Sequence, residues 1–167
     1  MPRGRKKQSV DSGFEPGTYI EDEFAMEIAR KLVELYPEDF GHINLNYVGF
    51  VRKVCKKKKK GKIVYANCRP IRRPTLMFAS KGWVIVTLGE NFSEKPLNIK
   101  QRIIFHELLH VAQVSEEVVE HDVQDFARCI ELWGVNWIRD GEAPLLFAME
   151  DEPGAGEGAS EDFSDSD

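Results

Sequence analysis

The sequence predicts an α+β domain in which a sheet of three or four strands packs on one buried helix. Ile103, Ile104, Phe105, Leu108, Leu109, Val111 and Ala112 would make a helix apolar nearly all round, so it belongs inside the molecule. Residues 82–88, Gly-Trp-Val-Ile-Val-Thr-Leu, are apolar and β-branched enough for a central strand. Both ends of the chain are poor in apolar groups, which confines the core to residues 18–140 of 167. At 42% apolar residues overall, that stretch supplies one core and one domain.

Residues 1–17, with Gly4, Gly13, Pro16 and Gly17, read as a disordered basic N-terminus. No apolar stretch follows the early basic residues, so no secretory signal is expected. A helix over about residues 21–36 follows from Phe24, Ile28 and Leu32 recurring every four residues, joined by Ala25, Ala29, Val33 and Leu35. Pro37 ends it. Ile43, Leu45 and Tyr47 alternate with Asn44 and Asn46, a strand pattern that extends past Gly49 to Val54. Residues 63–68 form a second strand, and the lysine run between the two is expected at a hairpin tip. Pro70, Arg72, Arg73 and Pro74 break the chain before the 82–88 strand, and residues 89–96 read as a loop. The buried helix is expected over about residues 99–113, with Asn98 as N-cap and Gln101 answering it. Asp122 then caps a last helix that turns Val123, Phe126, Ala127, Ile130 and Trp133 to one face. Gly134 breaks that helix, and Trp137 packs nearby. From Gly141 the composition shifts to glycine, serine and acids, so residues 141–167 read as an acidic disordered tail.

The net charge of −5 hides an asymmetry, because residues 150–167 carry eight acids and no base, leaving +3 on the remainder. No apolar run is long enough to span a membrane. Cys55, Cys68 and Cys129 are too few and too scattered for a disulfide scaffold, which points to a reduced, cytoplasmic setting in a cell or a virus-infected host. From Arg52 to Arg73 there are eleven bases and no acid, including Lys56, Lys57, Lys58, Lys59, Lys60 and Lys62. A nucleic-acid contact through this hairpin is one reading, and a solvated tip is the other. The acidic tail could fold back on it or simply aid solubility.

The chemistry lies in His106-Glu107-Leu108-Leu109-His110. Four residues apart, the two imidazoles leave one helix face about a turn apart, a separation that suits one Zn2+ ion. Glu107 stands beside them, where a carboxylate can take a proton from a water on the metal. A chance HExxH arises in roughly one chain in two hundred of this length, and two histidines in a buried helix are costly unless a metal satisfies them. A catalytic zinc needs a third protein ligand and an open position. The residues after the motif lack the glycine and histidine of the metzincin pattern. Of the two other histidines, His42 and His121, the latter follows the motif closely. Lying before the capped helix, His121 can turn back toward His110, with Asp122 or Asp125 orienting it. Glu116, Glu117 and Asp122 are the alternative ligands.

The strand over residues 83–88, then Asn91-Phe92, then the Ile-Ile-Phe-His-Glu-Leu-Leu-His-Val helix and a lone histidine before the next helix, together resemble the phage and archaeal metallopeptidase domain. That group is similar to the SprT-like and minigluzincin branches of the zincins. The resemblance covers about residues 20–135. It implies a small zincin-like fold, with the sheet packed on the HExxH helix and an edge strand that binds substrate main chain. It also implies His106, His110 and His121 as ligands and Glu107 as base. The zinc ribbon common in SprT-like proteins is absent, for want of four paired cysteines.

Two function classes follow. One is a zinc metallopeptidase acting on protein or peptide, with Tyr47, Tyr65, Arg102 and Arg128 as candidates for stabilising the oxyanion. The other is a zinc-containing, nucleic-acid-associated binding protein without peptidase activity, which a closed four-ligand site would favour.

Overall fold

The structure, a computed structural model, describes residues 13–113, 117–122 and 125–149. It is an α+β domain whose mixed sheet has the order β1-β2-β4-β3. β4 (Trp83–Leu88) is central, as its apolar composition predicts, between β2 (Val48–Lys53) and β3 (Ala66–Pro70). β2 runs parallel to β4, while β3 runs antiparallel to it and forms one edge. Phe50 and Cys68 flank Ile85 from the two sides, and all three side chains are buried. The other edge, β1 (Tyr19–Glu21), pairs antiparallel with β2 and lies where no strand was expected.

α1 (Glu23–Leu35) buries Ala25, Ile28, Ala29 and Leu32, the face that the four-residue spacing dictates. Asp22 caps it by accepting the Ala25 N–H at 3.0 Å. The other carboxylate oxygen accepts the Thr87 hydroxyl, and the Asp22 N–H donates to the Phe50 carbonyl at 3.0 Å. This one buried residue thus ties the helix start to β4 through its side chain and to β2 through its main chain. Pro37 stops α1 and opens the short α2 (Pro37–Phe40).

The strand expected over residues 43–47 is not one. Asn44 Oδ1 accepts the Asn46 N–H at 3.0 Å, a local turn that competes with sheet pairing, and residues 45–47 form a 3-10 turn. The expected hairpin is also absent. β4 lies between β2 and β3, so residues 54–65 cross the end of β4 instead of closing a tip. The crossing is tight at Gly89, with φ +33°, where a Cβ would stand 2.4 Å from the Cys55 carbonyl. Residues 89–93, expected in a loop, form the short helix α3 (Gly89–Ser93). The lysine run drapes over it: the Lys57 N–H donates to the Glu90 carboxylate at 2.9 Å, and the Lys57 ammonium pairs with Glu94.

α4 (Leu97–Leu109) is buried on nearly every side and packs against α1, α2 and β3. Phe105 sits at the centre, its ring edge-on to Tyr36, Phe40 and Trp133 at 5.1, 4.7 and 4.9 Å. The helix starts two residues earlier than expected, with Pro96 as N-cap, so Asn98 and Gln101 lie inside it and do not cap it. Asn98 Nδ2 donates to the Gly141 and Ala143 carbonyls at 3.0 and 2.6 Å. Gln101 donates to the Phe147 carbonyl and accepts the Leu146 N–H, both at 2.8 Å. Residues 141–149, expected in the acidic tail, are therefore strapped to α4, with Leu146, Phe147 and Met149 packed on the core. Residues 1–12 and 150–167 of the two expected tails lie outside the described residues.

α5 (Ala127–Trp133) begins later than its periodicity suggested, although Asp122 still accepts an N–H, that of Ala127 at 2.9 Å. Gly134 ends it with φ +78°, and Trp137 is buried in the 3-10 turn beyond. No helix among the described residues is long and apolar enough to cross a membrane.

Candidate metal centre and cleft

α4 presents His106, Glu107 and His110 on the face directed toward β3 and the chain that returns after it. His110 is the helix C-cap, and its N–H donates to the Glu107 carbonyl at 3.2 Å. His42 Nε2 meets the Val111 carbonyl at 2.9 Å, so this histidine closes the helix end and takes no part in the cluster. The chain then turns back. The Val119 N–H donates to the His110 carbonyl at 3.0 Å, and His110 Nδ1 donates to the Val119 carbonyl at 2.6 Å. This pair of bonds delivers His121 to the site, with its Nε2 3.0 Å from His106 Nε2.

His106, His110 and His121 thus place one ring nitrogen each within 4.8 Å of one another. Phe126 backs all three rings at centroid distances of 4.7 to 5.2 Å. Asp125 stands behind His106, its Oδ1 2.8 Å from Nδ1 but without the alignment of a hydrogen bond. It is fixed there by the Trp137 indole N–H at 2.6 Å and the Phe126 N–H at 2.7 Å. The expectation that Asp122 or Asp125 would orient His121 is corrected by these contacts: Asp125 serves His106, and Asp122 serves the start of α5.

Burial sets the charge states. It pushes His106 down to about 4, with the neighbouring histidines adding to the effect and Asp125 opposing it. It lowers His110 as well, against the bond to Val119. Both rings are therefore neutral near pH 7, the form that binds a metal. Two nitrogens each about 2 Å from one tetrahedral ion stand about 3.3 Å apart, and the His106–His121 pair, at 3.0 Å, is close to that. With the outer nitrogens of His106 and His110 turned to Asp125 and Val119, the inner ones are left for an ion, so the residues fit zinc. A second group, His106, Asp125 and Cys129, is also close enough to hold a metal, but it shares His106 and Cys129 is fully buried.

Glu107 is buried beside the cluster. Desolvation raises its carboxyl to about 8, against a hydrogen bond from the Cys68 backbone on the edge strand β3. Glu107 and the three histidines open on a cleft of about 320 Å³. Of the four candidates for the oxyanion, only Tyr65 lines this cleft. Arg128 pairs with Asp39, Arg102 donates to the Pro144 carbonyl, and Tyr47 lies before β2. Of the lysine run, Lys62 reaches the cleft, while Lys57 and Lys58 bond to α3.

Sequence reading missed Trp137 as a cleft residue and Val119 as the partner of His110. A backbone carbonyl leaves no trace in residue type, and Trp137 carried only its apolar character. No curated protein and no solved structure matches the chain. The model of one family matches residues 17–144, a span that holds the four strands and five helices of the described residues and the histidine cluster. The chain belongs to that family, described as Putative phage metallopeptidase.

Proposed function

We propose that the chain is a zinc-dependent peptidase hydrolysing peptide bonds, with His106, His110 and His121 holding the metal and Glu107 as general base. The observation that carries this reading is the meeting of three imidazoles beside a buried glutamate on one open cleft. Zinc, when bound, supplies Lewis acidity and lowers the pKa of water to about 7. A cation in the cluster also favours the ionised form of Glu107, against the burial that raises it. Glu107 then takes the proton of the attacking water and passes it to the leaving amine. The Cys68 N–H holds the carboxylate in place from the edge strand. Asp125 keeps the His106 ring turned so that Nε2 faces the cluster.

The test is Glu107→Gln in the full chain loaded with zinc. Glutamine keeps the shape but cannot accept the proton. We expect zinc to stay bound and hydrolysis of whatever substrate the wild type cuts to fall by about a hundred- to ten-thousand-fold. Full activity in this variant removes Glu107 as base, and a folded wild type that takes up no zinc removes the whole reading.

A further inference from the structure

We infer that the cleft selects peptides carrying a large apolar side chain next to the bond to be cut. The inference deepens the peptidase reading and rests on it for the reaction, though not for the binding preference.

Two chain segments supply the rim. Ile63 and Val64 come from the lead-in to β3, and both are partly exposed. Val135 and Ile138 come from the chain after α5, and Val135 is 74% exposed. Gly134 makes that placement possible: its φ of +78° turns the chain sharply at the end of α5, and nothing lies within 4 Å of where a Cβ would stand. The turn therefore answers to backbone conformation and not to crowding. Ile103 and Trp137 add buried apolar surface on the same cleft.

An aliphatic side chain left this exposed is ordinary when scattered on a surface, but several gathered on one concavity mark a binding site. A charged substrate side chain finds poor compensation among them. Asp125 is occupied by His106, Trp137 and Phe126, and Glu107 is committed to the Cys68 N–H. Lys62 is the one lysine or arginine among the cleft's described lining residues. A leucine or phenylalanine side chain instead removes its own apolar area and that of the rim from water together. The preference thus comes from attraction for apolar groups and from the scarcity of counter-charges, Lys62 being the one lysine or arginine on the described lining.

The experiment uses the zinc-loaded full chain with Glu107→Gln, which binds without turnover. Fluorescently labelled decapeptides, identical except for Leu, Phe, Gly, Asp or Lys at the central position, are titrated by anisotropy. We expect Leu and Phe peptides to bind on the order of tenfold more tightly than Gly, Asp or Lys peptides. Adding Val135→Asp, at a site too exposed to disturb the fold, should cancel most of that advantage and improve the Lys peptide. Equal binding across the series, tighter binding of a charged peptide, no binding at all, or a preference untouched by Val135→Asp each overturns the inference. If apolar peptides bind preferentially but the wild type cuts none of them, the selectivity stands and the peptidase reading falls.

Discussion

The two long faces of α4 both carry buried polar side chains, yet they do opposite things. One face bears Asn98, Gln101 and Arg102 above Phe105; the other bears His106, Glu107 and His110 above Ile103. On the first, the polar groups meet main chain: Asn98, Gln101 and Arg102 all bond to carbonyls between residues 141 and 147. They fasten a strap that has little secondary structure of its own. On the second, the side chains converge on one another and on an open cleft. Burial of polarity alone does not mark a site. A site is marked where the partners of buried groups are other titratable side chains and the remaining valences point into accessible space.

The comparison breaks if the two faces do not separate under mutation. The largest effect belongs to the cleft face: His121→Ala should weaken zinc affinity on the order of a hundredfold, since even indirect partners of a ligand cost ten- to a hundredfold. Because His121 is exposed, the melting temperature of the metal-free protein should stay put. Competition with a chromophoric chelator reads the first quantity. An unchanged affinity would transfer the ligand role to a neighbouring carboxylate such as Asp122.

The strap face should give the reverse pattern. Gln101→Ala strips partners from the Phe147 carbonyl and the Leu146 N–H, which we expect to cost about 2 kcal/mol of stability. Zinc affinity should not move. Urea melts paired with metal titration test this, and a loss of zinc binding at constant stability would sink the division of labour.

The smallest effect sharpens the boundary. Asp125→Asn keeps an acceptor for the Trp137 N–H but removes the negative charge behind His106, and we expect zinc affinity to fall about tenfold. Cobalt substitution gives an independent readout, because a turned His106 ring shifts the visible ligand-field bands. Unaltered bands and affinity would leave Asp125 as a tether for Trp137 alone.

Much of the cleft was legible in the sequence because its signal is local. His106, Glu107 and His110 lie on one helical turn, and His121 follows after a short gap. The central strand was legible too, since Trp83, Ile85 and Val86 are apolar on both faces of the sheet. Most of the failures concern partners distant in sequence, and one is a local turn. Asn98 and Gln101 have the residue types of a capping box, but residues 141–147 outbid that role. The alternation of Ile43, Leu45 and Tyr47 gave way to a side-chain turn at Asn44. The lysine run has the composition of a hairpin tip, and only the sheet order reveals that β4 separates its flanking strands. A side chain's type states what it can bond to, and topology decides what comes within reach.

The paired bonds between His110 and Val119 close a short loop, and all three imidazoles fall within residues 106–121. Closing so short a segment costs less chain entropy than closing a long one, the penalty rising about 0.6 kcal/mol with each doubling of length. The three imidazoles stay near one another along the unfolded chain as well, so an ion can bind them there too. An ion that binds both states stabilises the native one only by the difference in affinity. Zinc held here would therefore raise the melting point by less than its tightness implies. Nothing in the sheet has to form before the three imidazoles can share an ion, so metal capture can precede folding.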